Sequence, residues 1–383
     1  MKAWKYCLWI GGPTLLIVGI FLFVSRNIAY TDDAYVQGNQ VILTPLKEGF
    51  IQGIFSDDTY LVKAGQPLIT LDETDAKIAL DRAKEELSLT VREVSQAFYT
   101  VFALHTDIQG KKAEFIQAAQ DYEHRLQVFE AGAVSVEDFE HAVASLKNSF
   151  YLLATTEFLF QQALAFIENT SIENHPKTRA AIDLARQAWV DLHRCTIYAP
   201  VEGLVAQRTA QVGMWVSPGT PLLSIIPLDQ IWINANFKET QMRRMRIGQQ
   251  VSLHADLYGD SVLYRGIITG LPGGAGNAFS ILPPQNLSGN WIKIVQRLPV
   301  RVEINKEQLI DHPLRIGLSM TVTVDLQKNG PLIPISNAGA PSYTTPIYIE
   351  EEQGDLAWIT EIVQSNCDPK LHNHLKQPLL WKQ

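Results

Sequence analysis

Cysteine is scarce in this chain: Cys7, Cys195 and Cys367 are the only three among 383 residues. They are far apart, odd in number and without Cys-x-x-Cys spacing, so neither a disulfide framework nor a zinc site can be read from them. Cys7 does not follow the Leu and small residues of a lipoprotein cleavage site. Positive charge is also short. Lys and Arg number 32 against 40 Asp and Glu, a formal charge of −8 that leaves no footprint for nucleic acid. Catalytic patterns are missing too: no His-Glu-x-x-His, Ser-His-Asp or paired-carboxylate arrangement stands out. The Gly-rich stretch 270–276 lacks the Lys-Ser/Thr of a phosphate loop and reads as a barrel loop. His372 and His374 have no third ligand beside them and read as tail. No enzymatic activity, cofactor or metal is expected.

Proline disappears between Lys77 and Glu130, and Gly110 is the single glycine there, so this stretch reads as one long helix. Leu80, Leu87, Val94, Val101, Ile108, Phe115, Tyr122 and Phe129 recur every seven residues. A strict seven-residue repeat implies a left-handed coiled coil. Ala83, Thr90, Ala97 and Ala118 sit three residues after members of that row, while Lys111 and Arg125 break the pattern. Residues 131–135 read as a turn, with Gly132 ending one helix and Ser135 capping the next. The repeat resumes at Phe139, Leu146, Leu153, Phe160 and Ile167, with Ala142, Ser149, Thr156 and Ala163 between them. So short a turn makes the second helix antiparallel to the first. An arm of this length reaches roughly 80 Å at about 1.5 Å per residue. Asn169-Thr170-Ser171 and Asn174-His175-Pro176 interrupt the return, which continues with Ile182, Ala185, Trp189 and Leu192 on one face.

On either side of this arm lie two similar stretches. Pro45 to Ile51 with Val62 to Leu68, and Pro200 to Val205 with Val216 to Leu222, each read as Pro, a turn Gly, a short strand, then Gly-x-Pro-Leu and a further strand. Two half-domains that close one sheet project whatever lies between them outward, which suits a spacer or adaptor. Tyr6 to Ser25 is an uncharged, mostly apolar run of about 20 residues, enough to span a bilayer. Lys2 and Lys5 precede it, and Arg26, then Asp32 and Asp33, follow, which puts the N-terminus inside. No small-x-small site follows Val24, so a retained anchor is expected rather than a cleaved signal peptide. From Ile231 to about Gln327, short alternating runs suggest a small β-barrel. The tail after Pro331 is Pro-rich, then helical around Leu356 to Val363, and is expected to be loosely attached.

Certain motifs then carry a resemblance over about residues 10–328. Asp33-Ala34-Tyr35-Val36 with Gly38-Asn39-Gln40 follows the apolar run, and Asn236-Phe237-Lys238-Glu239-Thr240-Gln241 and Met245-Arg246-Ile247-Gly248-Gln249 open the barrel. Ala278 to Asn286, Gly289-Asn290-Trp291, Gln296 to Arg301 and Leu314 to Leu318 follow. In these motifs the chain resembles the periplasmic adaptor (membrane fusion, HlyD) family of tripartite multidrug efflux pumps, of the EmrA type. The resemblance implies an α+β fold: an N-terminal transmembrane helix, a split lipoyl-like β domain, a long antiparallel α-helical coiled-coil hairpin and a small β-barrel. Residues 1–30 would form the cytoplasmic end and anchor, 31–44 the first barrel strand and linker, 45–72 and 196–227 the two lipoyl-like halves. Residues 73–195 would form the hairpin with its tip near 131–135, 228–328 the barrel and membrane-proximal region, and 329–383 the tail.

Its implied partners are an inner-membrane transporter of the major facilitator type, a TolC-like outer-membrane channel, and further copies of the chain, commonly six in a ring. The implied location is the bacterial inner membrane, single-pass, with the body in the periplasm. The implied cargo is drugs or toxic small molecules. The alternative is an adaptor for protein or peptide secretion with an ABC transporter. Tips of related adaptors carry an Arg, a Leu four residues on and a Ser seven later. Arg125, Phe129 and Ser135 match with Phe in place of Leu and the Ser one residue early, and they are the expected channel-docking tip. Phe279, Ile281 and Leu282 are the expected apolar contact with transporter or membrane. Lys77 follows Glu73-Thr74-Asp75-Ala76, a sequence like that before modified carrier lysines, but no tight β-turn holds it, and it reads as a solvated helix start.

Overall fold

The computed structural model describes residues 27–130, 132–275, 295–333, 343–345, 347–348 and 356–367. The expected anchor, the contact patch Phe279, Ile281 and Leu282, and His372 and His374 lie outside the described residues.

The chain divides into two compact units. One comprises residues 1–69 and 197–346, the other residues 70–196 and 347–383. The first unit holds a closed six-stranded barrel. Its strands are β1 (Ile28–Gly38), β10 (Ile231–Lys238), β11 (Gln250–Ala255), β12 (Tyr264–Gly270), β13 (Arg297–Ile304) and β14 (Ser319–Asp325). Around the barrel the order is β1-β10-β13-β12-β11-β14, so the N-terminal strand closes the barrel between two strands from the far end of the sequence. Every pairing is antiparallel. Residues alternate in and out along β10 and β14, as a half-buried sheet requires. The inward set includes Val36, Ile233, Phe237, Leu253, Val302 and Val322, all essentially inaccessible to water.

The residues of the barrel motifs turn out to hold this closure. The register of β1 on β14 slips between Thr31 and Ala34, a bulge. There Asp33 accepts from Asn236 Nδ2 at 3.0 Å and pairs with Arg297 Nη1 at 2.6 Å. Gln249, wholly buried, accepts from the Arg246 N–H and donates Nε2 to the carbonyls of Arg244 and Lys328 at 3.0 and 2.9 Å. A buried amide that meets its partners costs little, and one that does not costs about 1–3 kcal/mol.

The two sequence halves interleave. One four-stranded sheet runs β2 (Val41–Leu43), β9 (Leu223–Ile226), β7 (Gly203–Ala206), β4 (Leu61–Val62). The other runs β6 (Thr196–Tyr198), β5 (Pro67–Leu71), β3 (Gly49–Ile54), β8 (Trp215–Val216). Each sheet takes strands from both halves, so neither half can satisfy its backbone alone. Gly203 is needed where β7 meets β9, because a Cβ there would stand 2.5 Å from the Ile226 carbonyl oxygen.

The second unit is helical. α1 (Thr74–Glu130) is 57 residues long, α2 (Val136–Ile167) returns along it, and α3 (Pro176–His193) completes the return. Asp72 opens α1 by accepting from the Thr74 hydroxyl and N–H at 2.7 and 3.1 Å. Lys77 is exposed and pairs with Glu73 one turn back at 2.8 Å. Between α2 and α3, His175 is buried. Its Nδ1 accepts from the Lys177 N–H, its Nε2 lies 3.0 Å from the Phe166 carbonyl, and Pro176 occupies the first turn of α3, where no N–H is missed.

Packing along α1 is graded. Leu80, Leu87, Val94 and Val101 of the seven-residue row are buried, whereas Ile108, Phe115, Tyr122 and Phe129 are half-buried. In α1 no side chain beyond Val101 is fully enclosed. The base is enclosed because α3 and α4 (Leu356–Asn366) pack on α1 there as well. On α2 the small row Ala142, Ser149 and Thr156 is buried while Leu146 and Leu153 are half-buried, so the helices meet over small residues.

The expectation of a loosely attached tail is corrected by α4. Ile359 and Val363 are buried in one cluster with Leu87, Val91 and Val94. Asn366 accepts from Arg92 Nε at 3.0 Å and donates toward Ser88 Oγ at 3.4 Å, and Lys84 Nζ sits 5.5 Å above the Trp358 ring. Ile359, Ile362 and Val363 form an apolar i, i+3, i+4 face, which must be covered to be stable.

Candidate functional site at the hairpin tip

The tip is built by two adjoining caps. α1 ends as its sequence requires: Gly132 takes φ +73°, its N–H donates to the Phe129 carbonyl at 2.9 Å, and the Ala133 N–H donates to the Val128 carbonyl at 3.1 Å. This pair of bonds satisfies carbonyls that the helix end would leave open, and it needs a residue that tolerates positive φ. Three residues later Ser135 caps α2. Its Oγ accepts from the Asp138 N–H at 3.1 Å and donates to Asp138 Oδ2 at 2.7 Å. Glu137 and Asp138 place negative charge on the helix's positive end.

Arg125 ties the two helices together. Its Nε bonds Asp121 at 3.2 Å one turn back along α1, and its Nη1 donates to the Asp138 carbonyl of α2 at 3.1 Å. The pair with Asp121 is solvent-exposed and contributes little by itself, ~0.3–0.5 kcal/mol. The bond across to α2 fixes where the arms meet. Beneath it Phe129 stacks on Phe139 with centroids 4.8 Å apart and planes 13° from parallel, and Tyr122 lies 5.7 Å from Phe139. Thus Arg125, Phe129 and Ser135 share one tip, and each has a partner within the chain. Val128 and Val136 beside them are exposed.

Two features of the arm did not stand out in the sequence. Phe139 and Tyr122 read as seam residues, yet they form the aromatic floor of the tip. A second feature is the outer side of α2, where Tyr151, Phe158, Leu159 and Phe166 stand exposed at spacings of seven and eight. Those spacings place them on one helical face. The signal was present, since residues 149–167 contain a single charge, Glu157. α2 is apolar and long enough to cross a bilayer by length and composition, but it lies along α1 as half of a hairpin. Among the described residues no cluster of His, Cys, Asp or Glu could hold a metal ion.

Comparison with known proteins agrees with this architecture. Residues 74–195 match the family model described as EMRA, alpha-helical hairpin domain. The chain is 37% identical over 367 residues to the probable multidrug resistance protein EmrK of Escherichia coli K12, covering 92% of this chain and 95% of that one. It is 41% identical over 309 residues to the multidrug export protein EmrA of the same strain, covering 80% and 79%. The fatty acid resistance protein FarA of Neisseria gonorrhoeae is 40% identical over 329 residues, covering 86% and 81%. Identities of this size over most of each length, on a fold with this hairpin, show that the chain belongs to the EmrA-type membrane fusion (periplasmic adaptor) family of multidrug efflux systems.

Proposed function

We propose that this chain is the periplasmic bridge of a tripartite exporter. It is held in the inner membrane by its N-terminal apolar run, with its N-terminus cytoplasmic and its body periplasmic. It works beside a transporter of the major facilitator type, which supplies the energy, and delivers cargo to a TolC-like outer-membrane channel. The cargo is drugs or toxic amphipathic small molecules, in keeping with relatives named for multidrug export and for fatty acid resistance. The chain has no chemistry of its own and acts as a homo-oligomeric ring, a hexamer.

The observation that carries this reading is the arm. A 57-residue helix extends about 85 Å at ~1.5 Å per residue. Its return helix carries an apolar outer face that needs helices to cover it. Such a ribbon buries too little along its distal half to serve as a core. A tip stiffened by two caps and an Arg tie is suited to docking through Arg125, Phe129 and Ser135. Phe279, Ile281 and Leu282 are assigned to the transporter or membrane contact.

The test is in-cell photocrosslinking from Val136, exposed at the tip, with the captured protein identified by mass spectrometry. Capture of an outer-membrane channel is the expected result. Capture of adaptor copies alone would remove the bridging role from the tip. A crosslinker at Ile281 is expected to capture the transporter, and its failure there would sink the contact assignment.

A further inference from the structure

The barrel has one end at which the chain leaves for the apolar run. β1 starts at Ile28, soon after Ser25, and its first residue pairs with Asp325, the last of β14. Lys238 ends β10 and Arg297 opens β13 opposite it, at this same end. A single 3₁₀ turn, Met242–Arg244, lies there, and Met245 after it is buried in the barrel core. The turn is fastened to the start of β1. Arg244 Nη1 and Nη2 donate to Asn27 Oδ1 at 3.2 and 3.1 Å, and Gln241 Nε2 donates to the Tyr30 carbonyl at 3.0 Å. Lys328 is drawn to the same place, because Gln249 Nε2 bridges its carbonyl and that of Arg244.

The surface so assembled is both basic and apolar. Arg243, Arg244 and Lys328 are exposed, and the Arg243 guanidinium and Lys328 ammonium have no partner among the described residues. Arg246 places Nη1 on the carbonyls of Arg243 and Met245, which leaves its charge unpaired. Four carboxylates share this end. Asp33 is paired with Arg297, Asp325 accepts from the Gln327 N–H, Asp32 lies in the bulge of β1, and Glu239 stands on the β13 side with its N–H on the Gln296 carbonyl. No acidic residue occurs from Thr240 to Ala255. With Lys238 the bases outnumber these acids, on a chain whose formal charge is −8. Ile28, Tyr30, Leu332 and Ile333 are exposed as well, Ile333 at 78%. The Ile247 N–H, donated to the Pro331 carbonyl at 3.0 Å, brings the last two toward the turn. Basic side chains interleaved with exposed apolar and tyrosine side chains suit the headgroup layer of a bilayer, which accepts both.

We infer that this end of the barrel docks on anionic phospholipid headgroups, with Arg243, Arg244 and Lys328 meeting the phosphates and Tyr30 and Ile333 entering the headgroup layer. The inference rests on the reading of the apolar run as a retained membrane anchor, which sets Asn27 close to the bilayer surface. Arg suits a phosphate because its planar fork meets two oxygens. A negative surface attracts the local positive excess, whereas a zwitterionic one offers it no net field. The acidic remainder of the chain is repelled by such a surface, so the attraction orients the barrel. Each basic residue near an anionic surface contributes only about fivefold in affinity. The anchor holds the surface at high effective concentration, so several weak contacts suffice. The barrel is thereby held against the bilayer by its end as well as by the chain leading into β1.

The experiment places the full chain in nanodiscs of phosphatidylcholine alone and in nanodiscs of phosphatidylcholine and phosphatidylglycerol in equal parts. Hydrogen exchange is followed at the amides from Gln241 to Ile247. Exchange there is expected to be about fivefold or more slower in the anionic discs. Arg243→Glu combined with Lys328→Glu is expected to remove that difference, and Arg243→Lys to keep most of it. Arg265→Glu, a reversal of an exposed charge at the opposite end of the barrel, is expected to leave it whole. Equal exchange in the two discs, or a difference indifferent to the paired reversal, overturns the proposal. Slowing seen only in native membrane vesicles would assign the surface to a protein partner and overturn it too. A chain recovered in neither kind of disc would refute the anchor reading itself, and the docking with it, before any exchange is measured. Arg243 and Lys328 hold no side-chain partner among the described residues, so their reversal reports on docking and not on folding.

Discussion

At the scale of the residue, the tip rests on a few atoms with assigned tasks. Arg125→Asp removes the bond to the Asp138 carbonyl and sets two carboxylates one turn apart. It is expected to abolish drug resistance in cells while far-UV dichroism shows the arm still helical. Asp121→Asn, which loses the exposed ion pair but keeps the Arg, is expected to retain resistance. Full resistance in the Arg125→Asp strain would count against channel docking through this residue. Ser135→Ala removes the cap of α2 and should cost about 1 kcal/mol locally. Hydrogen exchange should then quicken roughly fivefold at the tip amides, and no change at all there would show the cap to be idle. At the other end of α1, the Thr74 hydroxyl and N–H hold the Asp72 carboxyl below its ordinary range. A carboxylate with a depressed folded-state pKa stabilises fully above its unfolded value of about 3.9, and this is lost as pH falls through the folded value. Acidification from pH 7 to 5 should therefore leave exchange at the start of α1 unaltered, with loosening only below about pH 4.

At the scale of the element, two helices present faces with opposite fates. The inner face of α4 is buried, and Ile359→Ala should cost about 2–5 kcal/mol of local stability. The expected readout is faster exchange around Ser88 to Arg92, where Asn366 bonds. Unchanged protection there would mean that α4 contributes nothing to the base. The outer face of α2 is exposed, so Phe158→Glu should change the chain's own stability by no more than about 0.5 kcal/mol. Yet it is expected to break assembled particles into smaller species in light scattering. Particles of unaltered size would exclude that face from assembly. Phe160, two residues on, points inward and is 7% exposed, so a charge there should instead unfold the arm.

At the scale of the whole molecule, the arm is an insertion. The Leu71 N–H donates to the Cys195 carbonyl at 2.8 Å, so the arm leaves and re-enters at neighbouring backbone. Insertions tolerate removal where their ends lie close together. Replacing residues 74–195 by a short Gly-rich turn should leave a β-rich, cooperatively melting protein that confers no resistance. A variant that fails to fold would show that the arm is needed to bring the sheet halves together.

Much of this was written in the order of residues. The seven-residue row from Leu80 to Phe129, the absence of proline along it, Gly132 and Ser135 specify two antiparallel helices, because periodicity and capping are local properties. The alternation along β10 and β14 likewise marks half-buried strands. Three things needed the tertiary structure. The row does not say that its members are buried only as far as Val101, since burial depends on α3 and α4 arriving from far along the chain, Lys177 beside Glu93 and Asn366 beside Arg92. The short apolar helix at 356–366 carries no mark of its partner, because an amphipathic face shows that it must be covered but not by what. Nor could the sequence set Arg315, Ala206 and Thr59 around one groove, three segments joined only by the folding of the sheets. Local physics chose the elements, and long-range contact chose which of their faces meet water or a neighbour.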